Sequence, residues 1–223
     1  MTIEDLIPAE ITNDSFYIEL SKLASRADLK TFLEIGSSTG MGSTQAIATS
    51  LKLRSDPEAR LFCMELSRPR FISLVNAHKE NPRVYPYNLS SVATSDFATE
   101  EQVRLFYRST STNLNRYSIE SVLQWLRQDL EYIGLKRLNY NGINFIKDCN
   151  SIDNFDFVLI DGSEFTGEME LQYVWGAKVI ALDDVNAFKC FSAYLRLKTH
   201  YGYKLIAEDL GLRNGFAIFE RAY

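Results

Sequence analysis

Five apolar runs, TFLEIG, ARLFCMEL, RVYPYNL, FDFVLIDG and AKVIALDDV, recur along the chain with helix-period sequence between them. Runs that are apolar at nearly every position, rather than at alternate ones, read as strands buried on both faces. Strands separated by helices pair in parallel, because a parallel pair needs a crossover connection. Together these features restrict the chain to an α/β sheet covered on both sides. Each run breaks off in acidic, small or polar residues, and ligands of open α/β sheets bind outside those carboxyl ends. The C-terminal end departs from the pattern. YKLIAEDL and GFAIFERAY are joined only by GLRNG, whose Asn214-Gly215 pair tolerates positive φ, so no crossover helix fits between them. The last strand is therefore expected to run antiparallel.

Between about 94 and 141 the alternation of strand and helix stops. IESVLQWLRQDLEYI places Ile119, Val122, Leu123, Leu126, Leu130 and Ile133 at helical spacing, which predicts an amphipathic helix. This stretch is expected to be a largely helical insertion in a single domain spanning 1–223, packed on the sheet and walling a substrate pocket. NAFKCFSAYLRLKTH predicts another helix after the fifth strand.

With 223 residues, 46% hydrophobic and 24% charged, the chain can bury one substantial core. A net charge of −5 supplies no overall positive field for a phosphate backbone, which argues against nucleic acid as a partner. No run reaches the ~18 apolar residues of a membrane span, and MTIEDLIPAEITNDSF lacks the basic end of a leader, so no membrane partner and a cytoplasmic location are expected. Cys63, Cys149 and Cys190 are odd in number and form no CxxC pair, so all three are expected to be buried reduced thiols. His78 and His200 read as surface residues, one in a helix and one in a turn after a helix.

FLEIGSSTGMGST, residues 32–44, reads as a buried strand, a glycine-rich turn and a helix opening near Ser43. A phosphate loop needs lysine after its last glycine, and none follows here. The dinucleotide pattern G-x-G-x-x-G fails at Ser38 and Met41. The short-chain dehydrogenase variant G-x-x-x-G-x-G matches at Gly36, Gly40 and Gly42, and Tyr194 with Lys198 forms a downstream Y-x-x-x-K pair. An NAD(P)-dependent oxidoreductase is therefore a rival reading, although Ala181 stands where a partner serine is expected. Charge separates the two readings. Glu34, two residues before Gly36, repels a pyrophosphate but attracts the cationic amino-acid end of S-adenosylmethionine (SAM). Gly36 and Gly40 permit close approach, Ser37 and Ser38 offer hydrogen-bonding groups, and Glu65 in FCMELS can accept bonds from ribose hydroxyls.

On FLEIGSSTG, FCMELS and FDFVLIDGSEFTG, the chain resembles the class I SAM-dependent methyltransferases, and the last motif is similar to that of their small-molecule O-methyltransferase branch. The resemblance covers nearly the whole chain except the insertion. It implies a Rossmann-like, doubly wound, seven-stranded sheet, parallel except for the last strand. It also implies a polar residue near adenine, and two stretches compete for the strand before it. VYPYNLSS leads to Ser90 and Ser91, while INFIKDC leads to Asp148 and Cys149.

Asp161 ends the fourth strand, and Asp183 with Asp184 ends the fifth. If those strands are neighbours, the three carboxylates converge and repel one another, and Mg²⁺ would relieve the repulsion. Catechol-type O-methyltransferases hold a metal with Asp and Asp-Asn at such positions, and LDDV is similar, with Asp184 in place of Asn. In a metal-free reading, Asp161 approaches the methionine end of the donor and Asp184 or Asn186 caps the next helix. Glu164 occupies a place where the resembling families carry His or Lys, which makes it a candidate general base. No Asn/Asp-Pro-Pro-Tyr/Phe turn follows the fourth strand, which favours an oxygen acceptor on a small molecule. A SAM-binding protein without activity is the remaining alternative.

Overall fold

The runs sealed on both faces form the expected strands: β1 (Thr31–Ile35), β2 (Arg60–Met64), β3 (Val84–Tyr87), β4 (Phe157–Ile160) and β5 (Val179–Asp183). The terminal pair is β6 (Tyr203–Asp209) and β7 (Phe216–Arg221). These come from a computed structural model that describes residues 3–222; the expected limits at Met1 and Tyr223 lie outside them. The seven strands form one sheet in the order β3-β2-β1-β4-β5-β7-β6. β7 lies antiparallel between β5 and β6, pairing Ala181 with Ile218 and Leu205 with Phe219, and all other neighbours are parallel. Strand order reverses between β1 and β4, which opens a crevice at their carboxyl ends.

The two-residue period of a strand sends alternate side chains to opposite cores. Phe32, Leu61, Leu159 and Ala181 join one core, and Leu33, Phe62, Ile160 and Leu182 join the other. The first core is covered by α1 (Ser15–Ala24), α2 (Ser43–Leu53) and α3 (Arg68–His78). Asp14 caps α1 by accepting from Tyr17 N at 2.8 Å, and Phe16 then stacks on Phe216 with centroids 4.4 Å apart. Phe16 is fully buried, a contribution of about 1.5–3 kcal/mol.

The second core is covered by α4 (Glu100–Ser109), α5 (Ile119–Lys136), α6 (Gly142–Asn150), α7 (Gly167–Tyr173) and α8 (Phe188–Thr199). The expected amphipathic helix is α5, which buries Val122, Leu123, Leu126 and Ile133. INFIKDC is not a strand. Asn141 caps it by accepting from Asn144 N, and Ile143 and Ile146, three residues apart, form the buried face of α6. Asp148 and Cys149 therefore point to solvent, so Cys149 is not the buried thiol expected, unlike Cys63 and Cys190. No helix among the described residues is long and apolar enough to cross a membrane.

Candidate active site

The turn after β1 is fastened at three points. The amides of Gly36 and Ser37 donate to Met64 O at 3.0 and 2.9 Å, which ties the turn to the end of β2. Gly36 has φ +90°, and a Cβ on it would lie 2.0 Å from the carbonyl oxygen of Asp161, so β1 and β4 meet there with no space for a side chain. Gly40 has φ +80°, and its carbonyl lies 2.7 Å from Nε2 of His78. That bond draws His78 into the fold, where it is buried rather than on the surface as expected.

Glu34 shares its face of β1 with Phe32, so its side chain points beneath the turn rather than into the crevice. It is fully buried and accepts bonds from Ser37 Oγ at 2.7 Å and Thr44 Oγ1 at 2.5 Å, beside the positive end of α2. Its other oxygen, Oε1, has no hydrogen-bond partner. Glu34 therefore organises the turn and does not touch the cavity.

Above the turn lies a cavity of about 320 Å³, in the usual range for small-molecule sites. Gly36, Ser37, Ser38, Glu65, Ser91 and Asp161, all expected from sequence, line it. Glu65 accepts Ser38 N and Ser67 N, each at 2.7 Å, and burial raises its pKa. Ser38 adopts φ +48°, and its buried hydroxyl has no partner. Ser91 donates at 2.5 Å to Glu170, a fully buried carboxylate that also accepts from Thr166. Gly40 and Asp148 do not line the cavity, and Asp148 is exposed on α6. The long middle segment contributes Phe97 and Asp129. Burial pushes Asp129 to about 6, and its carboxylate accepts from Ser163 Oγ at 2.5 Å. Tyr107, Trp125 and Tyr132 do not reach the cavity.

The carboxylates of Asp161, Asp183 and Asp184 do converge, with one oxygen of each lying within 4.8 Å of the others. Two cations that sequence reasoning missed already hold them. Lys189 Nζ lies 2.8 Å from Asp161 Oδ1 and 2.6 Å from Asp184 Oδ2, and Arg213 Nη2 lies 3.2 Å from Asp183 Oδ1. Burial and the neighbouring carboxylates raise Asp161 and bring Asp183 to about 6. Burial acts to raise Asp184, but Lys189, Asn214 and Arg213 together outweigh it and leave Asp184 lowered. The surrounding carboxylates likewise overcome burial at Lys189 and hold it protonated. Asp184 adopts φ +56° and accepts from Asn214 at 3.0 Å, and a left-handed residue of this kind costs about 1–2 kcal/mol. Mg²⁺ needs oxygen ligands at about 2.0–2.1 Å in near-octahedral array, and here the ammonium fills the space between Asp161 and Asp184. As arranged, these residues do not fit a divalent ion.

Neither Asp184 nor Asn186 caps α8, since no side chain bonds from the capping position, Ala187. Glu164 takes that work, accepting Lys189 N at 3.2 Å. Burial pushes Glu164 to about 7, but it does not line the cavity, so the expected base faces a helix end instead of an acceptor. The dehydrogenase pair lies elsewhere as well. Tyr194 donates to Glu208 on β6 at 2.8 Å, Lys198 bonds Tyr194, and neither reaches the cavity.

No family model and no curated protein sequence matches the chain. Among solved structures it is similar to an O-methyltransferase from Bacillus cereus in complex with S-adenosylhomocysteine (SAH). That match has 14% identity and a TM-score of 0.56, and covers 96% of this chain and 84% of that one. It is also similar to an O-methyltransferase from Streptomyces achromogenes in complex with SAM, at 13% identity, TM-score 0.53 and coverage of 97% and 84%. A methyltransferase from Geobacter sulfurreducens matches at 10% identity and TM-score 0.54, covering 96% and 82%. The chain thus has the class I methyltransferase fold over nearly its whole length.

Proposed function

We propose that this protein is a SAM-dependent O-methyltransferase acting on a hydroxyl of a small molecule, such as a sugar or a secondary metabolite. One observation carries the reading. Among the described residues, six carboxylates, Glu10, Glu65, Asp129, Asp161, Asp183 and Asp184, line the cavity; Lys189 and Arg213 pair with the last three, which leaves Glu10, Glu65 and Asp129 against Arg70. Such a lining favours a cationic adenosyl ligand and disfavours the pyrophosphate of a dinucleotide. The unpartnered Ser38 hydroxyl and the cavity-facing Glu65 fit the amino-acid and ribose parts of that ligand. The SAH bound in one similarly folded protein and the SAM bound in another support the same reading.

In this proposal Gly36, Ser37 and Ser38 hold the amino-acid end, Glu65 the ribose hydroxyls, and Ser91 the adenine side. When bound, SAM supplies the methyl group and leaves as SAH. The chain's own task is to orient the acceptor oxygen and take its proton. Asp129 faces the cavity and, at about 6, is matched to receiving that proton near neutral pH, while Asp161 faces the same space with Oδ1 bound to Lys189.

Incubation with methyl-labelled SAM and a panel of catechols, sugars and phenols tests the proposal. Label is expected in an oxygen-methylated product together with SAH. Tight SAM binding without turnover on any acceptor class would favour a non-catalytic binding protein, and label on nitrogen would overturn the oxygen assignment.

A further inference from the structure

The three-carboxylate cluster carries its own cation. Lys189 is the second residue of α8, in the first turn, where the helix dipole disfavours positive charge. Something must outweigh that cost, and the contacts of its ammonium show what does. Two of its three N–H groups are taken by Asp161 Oδ1 and Asp184 Oδ2, one from the end of β4 and one from just beyond β5. Asp184 holds a left-handed backbone conformation, braced by Asn214, while it meets that ammonium. The backbone amide of Lys189 is bound by Glu164, which fixes the start of the helix from which the side chain reaches inward. The side chain is nine-tenths buried and lines the cavity, and Arg213 neutralises the third carboxylate, Asp183.

We infer that the Lys189 ammonium stands at the cation position of the acceptor subsite, so that methyl transfer by this protein proceeds without a divalent metal. Its third N–H is left to hydrogen-bond the acceptor oxygen. A tethered ammonium is a single positive charge with three directional donors, whereas a metal ion is doubly charged with open coordination positions. The site therefore suits an acceptor that presents one hydroxyl, because a lone N–H cannot chelate the two adjacent oxygens of a catechol. This inference rests on the O-methyltransferase reading for its acceptor but not for its cation.

The test uses Mn²⁺ as probe on the full chain, by paramagnetic resonance and by anomalous diffraction from soaked crystals, with SAH calorimetry in parallel. Wild type is expected to leave Mn²⁺ unbound at the cluster and to keep full methyl-transfer activity after chelator treatment. Lys189→Ala, which removes the ammonium and its bulk, is expected to take up one Mn²⁺ with a dissociation constant of about 10⁻⁴ to 10⁻³ M, the range of weak oxygen-ligand sites. Its affinity for SAH is expected to stay within about threefold of wild type, less than 0.7 kcal/mol. Stoichiometric Mn²⁺ at Asp161 and Asp184 in wild type would overturn the inference whether or not the variant folds. A folded Lys189→Ala that takes up no Mn²⁺ would overturn it too. Failure of wild type to bind SAH would instead strike at the proposed activity and leave the Mn²⁺ result standing.

Discussion

Replacing Gly36 by Ala probes the tightest point between the ligand turn and the sheet. The new Cβ would meet the Asp161 carbonyl oxygen at 2.0 Å and its carbon at 2.6 Å, where ordinary contact begins near 3.4 Å. The obstructing atoms are backbone, tied into the ladder through Asp161 N to Ile35 O at 3.0 Å, so no rotamer change relieves the clash. An alanine at φ +90° adds about 1–2 kcal/mol of conformational cost. Forcing β1 and β4 apart adds about 1–3 kcal/mol, as overpacking does elsewhere. The total of about 2–5 kcal/mol corresponds to a fall in Tm of roughly 4–20 °C for a chain of this size. Because the strands part where the donor turn sits, SAH affinity should fall at least about tenfold, or 1.4 kcal/mol. Gly134→Ala is the control. Gly134 lies inside α5 with nothing within 4 Å of a Cβ, so alanine there should raise stability by up to about 1 kcal/mol and leave SAH binding alone. Thermal denaturation and calorimetry on both variants read the difference. A Gly36→Ala protein melting within about 1 °C of wild type, with unchanged SAH affinity, would refute the close approach of β1 to β4.

Three further outcomes are expected. Glu65→Gln removes an anionic acceptor from the Ser38 and Ser67 amides and from the cavity wall, and should weaken SAH binding by about 1.5–3 kcal/mol, read by calorimetry with the fold intact. Glu164 has its pKa raised by burial from 4.5 to about 7, so the folded state holds a proton that the unfolded chain releases. That contribution is full below the unfolded value and lost as pH rises through about 7, so Glu164→Gln should gain roughly 1–3 kcal/mol on wild type between pH 5 and pH 8 in urea denaturation. A gain on going to lower pH would contradict it. Asp148→Ala, exposed on α6, should change stability by no more than about 0.5 kcal/mol and SAH affinity not at all.

Local signals were enough to find most of the fold. FVLI and VIALD, short runs bounded by turn residues and separated by helix-period sequence, read as strands sealed on both faces, and the six-residue link from Leu210 to Gly215 forces β6 and β7 antiparallel. INFIKDC was harder, because a short apolar run does not separate strand from helix by composition. The deciding signs were Asn141 at the cap and the spacing of Ile143 and Ile146. At the site, the Gly36 turn, Glu65 and Ser91 were visible because chain position relative to strand ends places them. Glu34 was visible as a residue, but its role was not, since strand alternation turns it under α2. Lys189 and Arg213 were not legible because Asp161 and Asp183, which they meet, lie 28 and 30 residues away on other strand ends, although Lys189 also meets the nearby Asp184. One signal for Lys189 was present nonetheless, a basic residue in the first turn of a helix just after two aspartates. His78 was misjudged for the same nonlocal reason, since the Gly40 carbonyl it bonds is 38 residues away.

Paired calorimetric titrations of the ligand-free protein, one with SAM or SAH and one with NADH, measure most directly what the cavity selects. An acid-lined pocket above a glycine turn should take up the adenosyl sulfonium compound and its demethylated product with one-to-one stoichiometry, and give no saturable heat with NADH. Saturable binding of NADH with none of SAM or SAH would contradict the charge selection from which the proposed activity follows.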